Sequence, residues 1–117
     1  MTEFAKYTAG KDPDAVKLLR AFRDAVLALG ESDERVNPSE IAWARKRVFA
    51  AAFINGAKLE VAIDLLKRVE HPQLREAFAT TKKVTTNRFW LARIDQLDAS
   101  IREWLKEAYE TVGPGTR

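Results

Sequence analysis

Apolar positions in this chain recur with two different periods, and the changes of period divide it into elements. Ala15, Leu18, Leu19, Phe22, Ala25, Val26 and Leu29 recur at helical spacing and form one apolar face. Asp12 can cap such a helix, Pro13 suits its first position and Asp14 suits the positive end of its dipole. Gly30 supplies the stop. From Lys58 to Leu65 the period falls to two. Leu59, Val61, Ile63 and Leu65 point one way and Lys58, Glu60 and Asp64 the other, which predicts a strand with its charges facing out. Asn55-Gly56 just before it is a strong hairpin signal, because both residues tolerate the positive φ of a type I′ turn.

Residues 41–53 admit two readings. Asn37-Pro38-Ser39-Glu40 could open a helix through this Ala-rich stretch, or lead into extended chain with Ile41, Trp43 and Arg45 on one side and Ala42 and Ala44 on the other. The hairpin signal needs a strand before it, which favours two strands, Ile41–Arg45 and Val48–Phe53, turning near Lys46-Arg47. Ahead of them, Glu31 to Pro38 reads as a polar connection with an acidic cluster at Glu31, Asp33 and Glu34. Beyond Leu65, His71-Pro72 opens an expected short helix over 72–80, with Leu74, Ala77 and Phe78 on its apolar side. Val84–Ile94, rich in Thr, Phe and Trp, reads as a further strand. Asp95 is expected to cap a last helix with Asp98 in its first turn, and Leu97, Ile101, Trp104, Leu105 and Ala108 make its core stripe. The expectation is an α+β fold: a four-stranded, largely antiparallel sheet, a three-strand meander plus one, with the N- and C-terminal helices packed on one face.

At 117 residues the chain suits one domain over 1–117, with residues 1–11 (anchored at Phe4 and Tyr7) and 113–117 expected to be flexible. The absence of cysteine excludes disulfides, thiolate metal sites and cysteine nucleophiles. No apolar run resembles a signal peptide or a membrane span, so a soluble, cytoplasmic protein without a membrane partner is expected.

Three stretches carry a resemblance: Ala9-Gly10-Lys11-Asp12-Pro13, Arg45-Lys46-Arg47-Val48-Phe49-Ala50, and Ile94 through Trp104-Leu105-Lys106-Glu107-Ala108-Tyr109. Together they resemble the bacterial domain-of-unknown-function family 5655, small α+β domains of which some are labelled predicted transport proteins and some are fused to other domains, including nuclease-like ones. The resemblance implies an α+β fold and strands over 41–53. It implies no catalytic residue, because the family has no established activity. The chain departs from the family pattern where Pro38-Ser39-Glu40 stands in place of a Lys-rich segment.

Enzyme chemistry finds little support in the residues. The one histidine, His71, precedes a proline and reads as an exposed loop residue rather than a metal ligand. Ser32, Ser39 and Ser100 lie in no nucleophile turn, and the five scattered glycines form no phosphate loop. Glu60 and Asp64 would stand about 13 Å apart at roughly 3.3 Å per residue, too far for paired glycosidase carboxylates. No catalytic residue, cofactor site or metal site is therefore expected.

Charge is the one suggestive pattern. Residues 41–93 carry eleven basic and four acidic groups, while the segments on either side are mildly acidic. Trp43, Arg45, Lys46, Arg47, Lys82, Lys83, Arg88, Trp90 and Arg93 make a candidate binding surface, and Lys67-Arg68 adds to the charge nearby. Cations with interleaved aromatic rings suit phosphates and bases. The leading reading is a non-enzymatic binding or accessory module, with nucleic acid as its partner through a basic sheet surface. The plain reading is that the Trp rings are core and the cations a solvated rim. The alternative function is a protein-interaction or small-ligand module acting as a homo-oligomer, since the last-helix stripe with Trp104 and Tyr109 could exceed what one core buries.

Overall fold

The computed structural model describes residues 2–115; Thr116 and Arg117, part of the tail expected to fray, lie outside the described residues. Helix α1, Glu3–Thr8, starts where the Thr2 hydroxyl accepts the Ala5 N–H, and it buries Phe4 and Tyr7. Tyr7 also fastens the chain to the sheet, its hydroxyl accepting the Ile54 N–H at 2.8 Å. Helix α2, Pro13–Leu27, begins as its sequence predicts: Asp12 Oδ1 accepts the N–H groups of Asp14 and Ala15. Its buried residues, Ala15, Leu18, Leu19, Phe22 and Val26, form the apolar stripe.

Six strands follow: β1 Asp33–Val36, β2 Ile41–Ala44, β3 Val48–Asn55, β4 Lys58–Leu65, β5 Leu74–Ala79 and β6 Thr85–Leu91. They form one sheet in the order β1-β2-β3-β4-β6-β5, with every neighbouring pair antiparallel. Helix α3, Ala99–Thr111, closes the fold, and with α2 it lies against β3 and β4. The core fills the space between, from Leu19, Phe22, Ile101 and Leu105 on the helices to Trp43, Val61, Ile63 and Phe89 on the strands. Residues 41–53 are extended, as the hairpin signal favours.

The sheet therefore has six strands, not four, and both extra strands are edges. Asp33–Val36, expected to be a polar connection, pairs with β2. An edge strand with one face to solvent needs few apolar residues, so its charges conceal it. The segment expected as a helix over 72–80 is instead β5. Leu74, Ala77 and Phe78 fall at helical spacing, but hairpin pairing with β6, the next strand in the chain, overrides that preference.

Three smaller corrections follow from pairing and capping. Asn55 pairs with Lys58, so the β3–β4 turn is centred on Gly56-Ala57. Only Gly56, at φ 62°, needs a positive dihedral there, which is the type II′ pattern rather than I′. Strand β6 stops at Leu91, and Ile94–Gln96 forms a single 3-10 turn. Asp98, not Asp95, caps α3 by accepting the Ile101 N–H.

Candidate functional site

With both long helices on one side, the other face of the sheet has no layer over it among the described residues. The pairing register lays its side chains out in rows. The middle row runs Arg35, Ala42, Ala51, Ala62, Arg88, Glu76 across all six strands. Beside it lie Phe53, Glu60 and Trp90 in one row, and Asp64, Thr86 and Phe78 in the other. Phe78 and Trp90 are 45% and 38% exposed, large for apolar groups.

Glu60 and Asp64, expected to point outward, do lie on this open face, yet they are only 3% and 9% exposed. Arginines cover and neutralise them. Arg75 reaches Glu60 at 2.9 Å and Arg88 reaches it at 3.4 Å, and both arginines also bind Glu76. Arg47 binds Asp64 at 3.0 Å, and the Thr86 hydroxyl donates to Asp64 at 2.7 Å with Thr80 in contact beyond it. Burial pushes the Asp64 carboxyl up, outweighing the Thr86 and Arg47 bonds that favour its charge. Trp90 is held between cations, with Lys58 4.7 Å and Arg75 5.1 Å from its ring centre.

The candidate surface read from the sequence therefore divides. Trp43 leaves it altogether: its side chain is fully buried on the helix-covered face, where its indole N–H donates to Glu34 at 2.9 Å. Glu34 also takes two bonds from Arg23, at 2.7 and 3.1 Å. Burial alone would raise the Glu34 carboxyl, but these bonds from Arg23 and Trp43 hold it below its usual range. Arg88 and Trp90 are on the open face, their charges and rings already partnered. Arg93 follows β6 toward the Gly56 end of the sheet, paired with Asp95 at 3.0 Å.

The remaining five converge at the opposite end. The β2–β3 turn carries Arg45, Lys46 and Arg47, and the β5–β6 turn carries Lys82 and Lys83. Lys67 and Arg68, just past the end of β4, lie at the same end. Lys67 pairs with Glu107 and Arg68 with Glu70. Among the described residues Arg45, Lys46, Lys82 and Lys83 have no carboxylate partner. Arg45 is pre-positioned: its guanidinium sits 4.5 Å from the Tyr109 ring centre and donates to the Tyr109 carbonyl at 3.0 Å. The turn itself is tied down, because the Lys46 and Arg47 N–H groups both donate to the Gly113 carbonyl.

His71 is a further correction. Its side chain is 7% exposed, not on the surface, packed edge-on to Phe89 and Trp104. Nδ1 accepts the Gln73 N–H at 3.0 Å, which leaves Nε2 as the donor to Asp98 at 2.8 Å. Burial would raise Asp98, but the Ile101 N–H and His71 bonds hold it low. With both ring nitrogens engaged, His71 joins the β4–β5 connection to the start of α3. Among the described residues no group of three or more His, Cys, Asp or Glu side chains could hold a metal ion, and no helix is long and apolar enough to cross a membrane.

A family model described as a domain of unknown function, DUF5655, matches residues 4–112. No curated protein and no solved structure matches the chain.

Proposed function

The chain belongs to the DUF5655 family, whose description names no activity, and on that premise we propose a non-enzymatic binding module that takes a nucleic-acid backbone at the basic end of its sheet. One observation supports this reading above all. Two turns far apart in sequence, 45–47 and 80–84, lie at one sheet end and bring there four cations that form no ion pair among the described residues, although Glu31 and Asp33 border Arg45 and Lys46. The turns are separated by about three interstrand spacings of roughly 4.8 Å, or about 14 Å. That span matches about four phosphates of one strand at roughly 3.4 Å each. The open face itself is a weaker candidate, because Glu60, Glu76 and Asp64 neutralise its arginines.

Fluorescence anisotropy with labelled single- and double-stranded oligonucleotides tests the proposal. Binding at low salt is expected, with log K falling against log salt at a slope of about −3 to −4 for duplex, since each phosphate neutralised contributes roughly −0.9. The double variant Lys82→Glu/Lys83→Glu is expected to lose most of the affinity, and Arg93→Glu at the opposite end to keep it. Absence of binding at about 50 mM salt, or equal losses in the two variants, overturns the reading. A second reading, a self-associating module, is favoured by a different observation: the uncovered sheet face with its charges paired among themselves.

A further inference from the structure

The uncovered face is uneven in a regular way. Its β2–β3 side is low, floored by Ala42 and Ala51 with the half-buried Val48 nearby. Its β6–β5 side is tall, carrying Arg88, Trp90, Arg75 and Phe78. Between them Ala51, Ala62, Phe53, Glu60, Arg88 and Glu40 line a hollow of about 30 Å³, enough for the tip of one inserted side chain. The ion pairs within the face already satisfy the buried carboxylates, so covering it strands neither Glu60 nor Asp64.

We propose that this face packs against the same face of a second copy, about a two-fold axis parallel to the strands and lying between β3 and β4. The middle row supports that axis. Read forward it is Arg35, Ala42, Ala51, Ala62, Arg88, Glu76; on the second copy the order is reversed. Arg35 then faces Glu76 of the second copy, Ala42 faces Arg88, and Ala51 faces Ala62, each pairing occurring twice. Low meets tall, and at both edges Arg35, which also holds Asp33 of its own strand at 2.9 Å, brings its charge to Glu76 of the second copy. In the next row Glu40 faces Trp90, whose ring lies under Lys58, and Phe53 faces Glu60, whose charge Arg75 and Arg88 already pair. The other in-plane axis, perpendicular to the strands, sets each strand against itself. It brings Arg88 to Arg88 and Glu76 to Glu76, and like-charge repulsion disfavours it.

The size of the face indicates how tight the pairing is. Six strands at roughly 4.8 Å and three rows of side chains span about 30 by 20 Å, or on the order of 600 Å² per copy. Twice that, about 1,200 Å², falls at the lower end of stable interfaces, the size class of weak association that depends on concentration.

Sedimentation velocity across a dilution series of the full chain reads the association. Concentration-dependent dimers are expected, weakened at least tenfold by Arg35→Glu, which sets a carboxylate against Glu76 of the second copy at both edges. Arg35 is exposed, so this variant folds, and circular dichroism verifies that. Arg35→Ala, which removes the unlike pair without creating a like one, is expected to weaken the association less than Arg35→Glu does. A chain that stays monomeric at every concentration overturns the proposal and leaves the face to a different protein. A dimer insensitive to Arg35→Glu overturns it as well.

Discussion

Asn87 is the group whose removal the fold should feel most. It lies on β6, on the helix-covered side of the sheet, and is fully buried. Its side-chain carbonyl accepts the Val69 N–H at 3.1 Å, and its amide donates to the carbonyls of Lys67 and Thr85 at 3.1 and 3.3 Å. Residues 66–70 have no strand partner of their own, so this amide does for that connection what a ladder does elsewhere. In Asn87→Ala the Val69 N–H is left inside without an acceptor, at a cost of about 1–3 kcal/mol, and two carbonyls each lose a donor. With the small cavity added, the loss is about 2–4 kcal/mol. At roughly 2.1 cal/mol/K per residue the unfolding entropy of such a chain is about 0.25 kcal/mol/K, so Tm falls by about 8–16 °C. Urea denaturation, with an unchanged m-value, measures the loss directly. Asn87→Asp separates the hydrogen bonds from the volume. Its carboxylate still accepts from Val69 but faces two carbonyls, which raises its native pKa above the unfolded value. Its ionised form is therefore the destabilised one, and the variant gains stability as pH falls from 7 toward 4. An Asn87→Ala loss below about 0.5 kcal/mol, or an Asn87→Asp variant with the wild-type pH profile, refutes the reasoning.

Three further outcomes follow from the geometry. Glu34 is held below its usual range, so the stability it contributes is present above the unfolded carboxyl pKa and lost as pH falls through the lower native one; the unfolding free energies of wild type and Glu34→Gln from urea titration, about 1–2 kcal/mol apart at pH 7, should converge in acid. Gly56→Ala puts a Cβ at φ 62° in open surroundings and should cost about 1–2 kcal/mol by thermal melt, through backbone strain alone. Asp64→Asn removes the carboxylate that neutralises Arg47 beside the β2–β3 turn, and the salt slope for duplex binding should steepen by about 0.9.

What could be read from the sequence was whatever is decided locally. The Asp12 cap and the stripe from Ala15 to Val26 make α2 wherever it packs, and the alternation from Lys58 to Leu65 makes β4 legible on its own. Leu74 to Ala79 is different, because its residues suit a helix and only the hydrogen bonds to β6 make it a strand. The same limit governs the surface. Arg88 looks free in the sequence, since nothing there says that Glu60 and Glu76 fall beside it across two strand pairings. Trp43 looks as available as Trp90, and the two differ only in which side of the pleat each occupies. Composition did signal the basic end: Arg45 to Arg47, Lys67-Arg68 and Lys82-Lys83 are all visible as runs. Their convergence depends on six strands being in order, and a sheet of four with a helix at 72–80 would have spread them.

The two proposed surfaces constrain one another through the direction of the two-fold axis. An axis parallel to the strands leaves the strands of both copies running the same way, so both sets of turns at 45–47 and 80–84 emerge at one end of the dimer. Facing sheets lie about 10 Å apart, which makes the two basic ends neighbours on one continuous surface. A short duplex can then touch both, and the number of phosphates it neutralises approaches twice that of the single chain. The salt slope should therefore steepen toward twice its value as protein concentration passes through the dimerisation range, without any new contact within a protomer. Arg35→Glu, on β1 and in neither basic turn, should return the slope to that of the monomer while leaving a measurable affinity. Lys82→Glu/Lys83→Glu should lower the affinity in both states and leave the dimer intact. With the perpendicular axis the basic ends would point in opposite directions, and a short duplex would engage one at a time. A slope that does not change across dimerisation therefore rules out the parallel axis, even if dimers form.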